Sequence, residues 1–435
     1  MKKKVILFAL AGSVLALASC TKSGTTTSGS NDVTTTKAST VTTSSNVVDT
    51  TTSTETTSVT TTEAPVIANY TVTVKDIDGE VLIDNLELST TEGANSIVED
   101  IEKAGYEVRS EDSQYGLYIK SIAGSVIDNN YYLAFSVNGK PADVGASSYE
   151  IKNGDAIEFE VQCLNTVEYG GLLDATDILV DKIIYSYLKN ELPNCIKNDT
   201  TYASSDYWTY MTINALTDNL YDFSYDQSII KADLKDSIEN ADLSTLSGAN
   251  YGKYYWTAKA LGYDLTSFSE VYKEHIDSIS TQYSQYVTPF EIAPAYGLDL
   301  TSDNLKTLVK DAQLASDQYG IDGLAWQIAA LAPYDKYNYT MVNFVNKRNE
   351  SNCTSNALQL IDFAALNVNP RSSDYEVEGV DLVEYIIDNF YDETTNLVKV
   401  YKTDEGTNMS TNQVYAGLVS YKIQRDKQKA FYLFA

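Results

Sequence analysis

Four copies of a short helix-end motif, spaced 35 residues apart, constrain the fold of this chain more than any other feature of its sequence. Each copy places an alanine beside an apolar or aromatic residue. The four alanines are Ala260, Ala295, Ala330 and Ala365, and weaker copies lie at Ala215 and Ala416. A fixed period of this length is typical of helical-pair repeats, in which one unit cannot bury its apolar face alone. Residues 170–435 are therefore predicted to form six consecutive helix pairs.

The two helices of each predicted pair differ in polarity. An apolar segment such as 324–329 precedes the alanine, and a more polar, amphipathic segment such as 304–314 lies between copies. An apolar helix needs protein on all sides, whereas an amphipathic helix needs it on one. This alternation predicts an inner and an outer ring of helices, an all-α (α/α)6 toroid. An open two-layer solenoid is the alternative, because periodicity does not show whether the ring closes.

Residues 66–164 follow a different pattern. Apolar and polar residues alternate with period two at 70–74 and 115–122, which predicts half-buried strands. Ile97, Val98 and Ile101 have helical spacing, and Gly105 ends that segment. Asn138-Gly139 is a hairpin dipeptide between apolar runs. We therefore expect a small α+β (β-grasp-like) domain before the toroid, and a multidomain chain.

The first 65 residues indicate export. Residues 1–19 combine three lysines, an apolar run and a small-residue cleavage site, which is typical of a signal peptide, and Cys20 follows directly as the predicted lipidation site. An ordinary secretory signal with an incidental cysteine is the alternative. Residues 20–65 are mostly Thr and Ser and have no aromatic residue, which predicts a disordered stalk. The expected location is the extracellular face of a bacterial membrane, reached through the lipid alone.

Charge and cysteine content exclude several partners and sites. The formal net charge is −29, so nucleic acid is not an expected partner. Beyond Cys20 the thiols are Cys163, Cys195 and Cys353, without the spacing of a thiolate metal site. One bridge with one free thiol is an arrangement open to such a secreted chain, with Cys195 and Cys353 as a candidate pair.

Three segments of the first region carry a family resemblance. Residues 118–124, 129–132 and 144–155, with the hairpin Val137-Asn138-Gly139, resemble the C-terminal β-domain of the transcobalamin and intrinsic factor family. By its repeat pattern, the helical region is similar to the α/α toroid shared by those carriers, prenyltransferases and terpene cyclases. The order differs, because the vertebrate carriers place the helical domain first. The resemblance implies a non-catalytic protein that holds cobalamin or another corrinoid between its two domains, with the linker near Gly170 letting them face each other.

Candidate ligand-binding residues lie where inner helices are expected to begin, because polar side chains there face the mouth of a toroid. They are Asp322, Gln327, Asn356, Gln359, Asn412, Gln413 and Tyr254. By repeat position, Asp322 and Asn356 match residues that touch the corrin amides in the carriers, although each could instead cap a helix. On the sheet domain the candidates are Tyr115, Tyr118 and Tyr132, whose rings could stack on a flat ligand.

Catalysis is not expected. A prenyltransferase zinc site needs histidine among its ligands, and His275, the one histidine of the chain, is interpreted as a surface residue. No catalytic residues, metal site or required cofactor are predicted, and cobalamin is expected as a ligand. The alternatives are a module that binds surface glycan or protein, and an α/α-barrel enzyme acting on carbohydrate or isoprenoid.

Overall fold

The computed structural model describes most of the chain from residue 65 onward. The described residues are 65–114, 116–125, 128–196, 199–219, 232–279, 288–315, 325–326, 328–329, 331–334, 348–403 and 408–435. Residues Ala64–Ala435 form one compact unit, with a small mixed sheet region followed by a mostly helical region. We call these the sheet half and the helical half.

The sheet half is a five-stranded mixed sheet with a separate hairpin. Its strands are β1 (Ile67–Lys75), β2 (Val81–Thr91), β3 (Val108–Ser113), β4 (Gly116–Ile122), β5 (Tyr131–Val137), β6 (Lys140–Pro141) and β7 (Ala156–Cys163). The sheet order is β2-β1-β7-β5-β6, with β1 and β7 parallel, and β3 pairs with β4. Buried and less buried residues alternate along β1, as the period-two pattern predicts.

One helix and one tight turn of the sheet half follow directly from local sequence. Helix α1 (Ile97–Lys103) buries Ile97 and Ile101, and Gly105 follows it with a φ of 97°. Asn138 and Gly139 both have positive φ and join the paired residues Val137 and Lys140. Two consecutive positive φ values are the requirement of a type I′ hairpin, which Asn-Gly meets at low cost.

The helical half is built from helices of unequal burial. They are α2 (Ala175–Ser186), α3 (Leu192–Ile196), α4 (Tyr207–Asn219), α5 (Ala232–Glu239), α6 (Asn250–Ala260), α7 (Thr266–Ser278), α8 (Thr288–Gly297), α9 (Asp303–Ala315), α10 (Cys353–Ala365), α11 (Leu382–Phe390) and α12 (Asn408–Lys427). A π-helical turn, Tyr187–Glu191, joins α2 to α3, and the short strands β8 (Tyr391–Asp392) and β9 (Leu397–Val398) follow α11.

The predicted alternation of helix types is present. Helices α4, α6 and α10 are buried along most of their length, whereas α7 buries only the stripe Phe268, Tyr272 and Ile276. Ala260 and Ala365 end their helices as the repeat predicts. Ala416 does not mark an end, because α12 continues to Lys427.

The small residues of the repeat allow close helix packing. Helix α12 packs against both α10 and α4, α4 packs against α6, and α6 against α8. Where α12 meets α10, a Cβ atom added at Gly417 would lie 2.5 Å from the carbonyl oxygen of Ala357. Glycine at that position therefore sets the distance between the two backbones.

The two halves share a continuous contact through α2 and the π-helical turn. Tyr185 is buried within the hydrophobic core of the sheet half. The hydroxyl of Ser186 donates to Asp78 at 2.6 Å, and the ammonium of Lys189 lies 3.2 Å from the carboxylate of Asp76. Among the described residues, no helix is both long enough and apolar enough to cross a membrane.

Candidate functional site

A cleft of about 540 Å³ opens where the start of α2, the loop after α10 and the end of α12 meet. We call it the arginine cleft, after Arg371 and Arg425 in its wall. Its lining residues are Leu172, Asp174, Asp177, Asn367, Asn369, Arg371, Tyr421, Gln424, Arg425 and Gln428. A volume in this range accommodates one small-molecule ligand.

The start of α2 fixes two carboxylates in the cleft wall. Asp174 is the N-cap residue, and its side chain accepts a hydrogen bond of 3.0 Å from the N–H of Asp177. The side chain of Asp177 accepts one of 3.3 Å from the N–H of Asp174. This reciprocal capping box satisfies two helix-terminal N–H groups and holds both carboxylates in the first turn.

Arg371 ties the starts of two helices together. Its Nη1 donates to Asp174 at 2.8 Å and its Nε donates to Asp381 at 2.9 Å. Asp381 in turn caps α11 by accepting from the N–H of Glu384. Burial by itself lowers the pKa of Arg371, but the hydrogen bonds to the two aspartates outweigh it and leave the pKa above its usual value. The guanidinium is therefore charged and already paired.

Arg425 and Tyr421, both in α12, also bind α2. The Nη2 atom of Arg425 lies 2.8 and 3.0 Å from the two carboxylate oxygens of Asp181, and the Tyr421 hydroxyl donates to Asp177 at 2.5 Å. Burial lowers the pKa of Arg425, but the carboxylates of Asp181, Asp426 and Asp177 outweigh it and leave the pKa above its usual value. Both arginines of the cleft are thus neutralised by carboxylates of the fold.

A buried ion cluster continues from this wall to the sheet half. Lys422 has no exposed side-chain surface, and its ammonium lies 2.9 Å from Asp128, 3.0 Å from Asp181 and 3.0 Å from Asp426. The hydroxyl of Tyr131, in β5, also donates to Asp181 at 2.8 Å. We call Lys422 and these three aspartates the Lys422 cluster. A pocket of about 70 Å³ adjoins it, lined from both halves.

Amide side chains supply the remaining polar groups of the arginine cleft. Asn369 accepts a hydrogen bond from the N–H of Arg371. Within the described part of the chain, the side chains of Asn367, Gln424 and Gln428 make no hydrogen bond to another residue. An amide both donates and accepts hydrogen bonds, so these groups suit a neutral ligand that carries hydroxyl or amide groups.

The structure places two of the predicted binding residues inside α10. The side chain of Asn356 is fully buried, accepts from the N–H of Asn349 at 3.0 Å and donates to the carbonyl oxygen of Asn349 at 3.0 Å. It therefore ties α10 to the segment before it. Gln359, one turn later, is also fully buried.

The predicted pair in α12 makes contacts within the helical half. Asn412 is fully buried, accepts from the hydroxyl of Tyr187 at 2.7 Å and donates to Asp206 at 2.6 Å. Gln413 donates to the carbonyl oxygen of Thr354 at 3.3 Å. Neither residue lines the arginine cleft, and their role in ligand binding stays a prediction.

Among the predicted tyrosines, Tyr254 and Tyr132 contact different residues. Tyr254 is buried, with its ring stacked on Phe268 at a centroid distance of 5.2 Å. On the sheet half, Tyr118 is exposed, and the hydroxyl of Tyr132 donates to Gln162. The remaining candidates, Tyr115, Asp322, Gln327 and the lipidation site Cys20, lie outside the described residues.

His275 is more enclosed than the surface residue that the sequence predicts. Its ring stacks on Tyr251 at 3.9 Å, and its Nε2 atom lies 3.3 Å from Glu291. Over the described ranges, no group of three or more His, Cys, Asp or Glu side chains is arranged to hold a metal ion. Cys163, Cys195 and Cys353 are free thiols, so the candidate pair Cys195–Cys353 is not bonded.

Sequence reasoning missed the arginines of the cleft. The chain has four arginines, Arg109, Arg348, Arg371 and Arg425, and lysine makes up nearly all its other cations. Arginine is favoured over lysine for buried and bidentate pairing with carboxylates. The small number of arginines is a signal for buried ion pairs that the sequence offers. The sequence does not show which carboxylates these arginines contact.

Comparison with known proteins places one similarity in the sheet half. Residues 95–162 match the model of a family described as a domain of unknown function, DUF4430. This stretch runs from the start of α1 almost to the end of β7. It covers a minor part of the chain, and the helical half lies outside it. No curated protein matches the chain.

Among solved structures, one similar chain is a Ruminococcus gnavus ATCC 29149 protein that is described, provisionally, as metal binding. It has 21% sequence identity, covers 22% of this chain and 97% of its own, and gives a TM-score of 0.20. Nothing about ligand or fold follows from a likeness at that level. Neither description names a reaction, and the absence of catalysis stays a prediction.

Proposed function

We propose that this chain is a non-catalytic binding protein of the bacterial cell surface, anchored by lipid at Cys20, and that its arginine cleft holds a small neutral ligand rich in amide or hydroxyl groups. The observation that carries the proposal is the amide lining, formed by Asn367, Asn369, Gln424 and Gln428, around a cleft of about 540 Å³. The sequence of the first 65 residues supports the location.

The charges in the cleft favour a neutral ligand over an anion. Arg371 and Arg425 would ordinarily attract phosphate or carboxylate. Here both guanidinium groups are held by Asp174, Asp381 and Asp181. An anion would have to displace a buried carboxylate from its cation, which leaves that carboxylate unpaired and is strongly unfavourable.

Two sources present the required chemistry, a corrinoid with amide side chains and a glycan with hydroxyl groups. The resemblance to the transcobalamin family supports the corrinoid. The Lys422 cluster, however, occupies part of the contact between the halves, and the pocket beside it measures about 70 Å³. In the arginine cleft a corrinoid would be held by its amide edge, with the ring outside.

We also propose that the inner helices close into the (α/α)6 toroid. The supporting observation is that α12, the last helix, packs against both α10 and α4. In an open solenoid each repeat contacts only its neighbours, so the last helix would not reach the first apolar one. Closure would place the end of α12 beside the start of α2, as the arginine cleft requires.

Isothermal titration of the purified chain tests the proposal with two probes, cyanocobalamin and a panel of neutral oligosaccharides. Saturable binding of one probe identifies the source. Gln424→Ala should weaken it about tenfold, because one unsatisfied hydrogen bond costs about 1.4 kcal/mol. Gln162→Ala, which removes an exposed amide near the end of β7, is the matched control and should leave binding unchanged. No binding of either probe, or equal loss in the two variants, would exclude the arginine cleft as the site.

A further inference from the structure

Residues 429–435 leave α12 at a turn and enter the interior of the helical half. Gln428, the residue after α12, has a φ of 49°. This value lies in the left-handed region, which residues other than glycine seldom adopt. Leu433 and Phe434 are 2% and 1% exposed, although the segment forms neither helix nor strand. Tertiary contacts with its surroundings, and no helix or sheet, therefore hold the segment in place.

Phe434 anchors the segment among all three tryptophans of the chain. Its ring centroid lies 6.1 Å from that of Trp208, 5.7 Å from Trp256 and 6.2 Å from Trp326. The first two rings meet Phe434 edge to face, a geometry that aromatic quadrupoles favour. Trp208 belongs to α4 and Trp256 to α6. A single phenylalanine thus fills an aromatic cage built by separate segments of the helical half.

The polar contacts that hold the segment are made to its main chain. The indole Nε1 of Trp256 donates to the carbonyl oxygen of Phe434 at 3.0 Å, and the ammonium of Lys259 donates to the main-chain oxygen of Ala435 at 3.0 Å. The N–H of Phe431 donates to the carbonyl oxygen of Ala364. An aromatic anchor in a pocket, combined with hydrogen bonds to the main chain, is how proteins recognise short peptides.

The segment also borders open space. A cleft of about 410 Å³ is lined on one side by residues 429–435 and on the other by helix ends that include Asn214, Lys259 and Tyr296. A second peptide could therefore approach the cage from outside as the segment leaves. Gln428, with its positive φ, lies at the start of the segment that would move.

We propose that the helical half contains a peptide-binding site, specific for a short apolar segment with an aromatic anchor, and that residues 429–435 occupy it in cis. The site is separate from the arginine cleft. Its ligand in trans is an extended peptide of the same chemistry, such as this segment from a second copy of the chain. Residues 429–435 are tethered to α12, and a short tether gives them an effective concentration of roughly millimolar at the site. A peptide in trans must compete with this internal segment.

The test measures binding of a fluorescein-labelled peptide with the sequence of residues 429–435 by anisotropy, to the complete chain and to two variants. Phe434→Ala weakens the binding of residues 429–435 in cis, because truncation of an anchor residue costs about 2 kcal/mol. The labelled peptide should therefore bind this variant about thirtyfold more tightly than it binds the unchanged chain. Phe431→Ala is the matched control, because Phe431 is in the same segment and only partly buried, and should resemble the unchanged chain. The same peptide with alanine at the anchor position should not bind.

Equal peptide affinity in the unchanged chain and in folded Phe434→Ala would overturn the proposal, because the segment would then be a fixed part of the core. If Phe434→Ala does not fold, a second variant decides. It carries a specific protease site inserted after Gln428 and is cut only after folding. Exchange of the cut segment for labelled peptide, with one peptide bound per chain, supports the site, and absence of exchange refutes it. Quenching of tryptophan emission by acrylamide reports directly on the cage, since the chain has 3 tryptophans and all contact Phe434.

Discussion

Replacing Lys422 by methionine should loosen the contact between the two halves, because its ammonium is the shared cation of three aspartates. Asp128 comes from the sheet half, and Asp181 and Asp426 come from α2 and α12. Methionine preserves most of the buried side-chain length while removing the charge. Asp181 and Asp426 retain Arg425, whereas Asp128 loses its cation.

The magnitude follows from how a buried pair is broken. Removing one partner leaves an uncompensated charge in a medium that solvates it poorly, which destabilises a fold by about 3–5 kcal/mol. For a chain whose free energy of unfolding falls by about 3 kcal/mol per molar urea, the midpoint should shift by roughly 1 M or more. The double variant Lys422→Met with Asp128→Asn should regain much of this loss, because it removes the isolated carboxylate as well.

Urea unfolding at pH 7, followed by tryptophan fluorescence and far-ultraviolet circular dichroism, measures the change. Lys306→Met is the matched control, since Lys306 pairs with Asp303 at 2.9 Å on the surface, with 72% of its side chain exposed. We expect no measurable change there, because exposed ion pairs contribute little. Equal effects of the two substitutions would refute the reasoning, because burial of the cluster would then have no energetic consequence.

The stability of Lys422→Met should depend on pH in a defined direction. Burial raises the pKa of Asp128, and Lys422 acts against that rise. Without Lys422, Asp128 keeps a proton in the folded state that it releases in the unfolded chain above about pH 4. Stability contributed by such a group is lost as pH rises toward the folded-state pKa. The loss relative to the unchanged chain should therefore be smaller at pH 5 than at pH 8.

Three further predictions concern buried groups of the helical half. Burial raises the pKa of the Cys195 thiol to about 11 and also raises that of Cys353, so mass spectrometry should find neither alkylated by iodoacetamide at pH 8 until the chain is unfolded. Gly417→Ala should lower stability in urea by about 1–3 kcal/mol, because its Cβ would meet Ala357 on α10. Asp362→Asn should stabilise the chain at pH 7 and leave its stability unchanged at pH 3. Burial raises the pKa of this fully enclosed carboxyl. The folded state therefore holds a proton that the unfolded chain loses above about pH 4.

Local sequence predicted those parts of the fold that depend on few neighbours. Asn138-Gly139 defines its turn because both residues tolerate positive φ, and the spacing of Ile97 and Ile101 is enough to define α1. The repeat also located the ends of α6 and α10 at Ala260 and Ala365. It placed an end at Ala416 wrongly, because small residues there serve the close packing of α12 on α10.

The candidate site was harder to predict, because its contacts join segments that are far apart in sequence. Arg371 meets Asp174, and Lys422 meets Asp128, across most of the chain. Asn356 was predicted from its place at a helix start, where a ligand contact and a structural hydrogen bond have the same sequence pattern. In the structure the amide of Asn356 bonds to the backbone of Asn349, and its role in ligand binding stays a prediction.

The charge balance at the arginine cleft leads to a last prediction, about salt. The chain carries a formal net charge of −29, and the cleft arginines are paired with carboxylates of the fold, so an incoming ligand experiences little net attraction from positive charge. A neutral ligand held by Gln424 and its neighbouring amides should bind with nearly the same affinity at low and high salt. The affinity of an anion should rise with salt, because screening shortens the range of its repulsion from about 10 Å at 0.1 M to about 3 Å at 1 M. The affinity of a cation should fall for the same reason. Titration of the bound probe at both salt concentrations distinguishes these cases, and a strong salt dependence in either direction would contradict recognition by neutral hydrogen bonding.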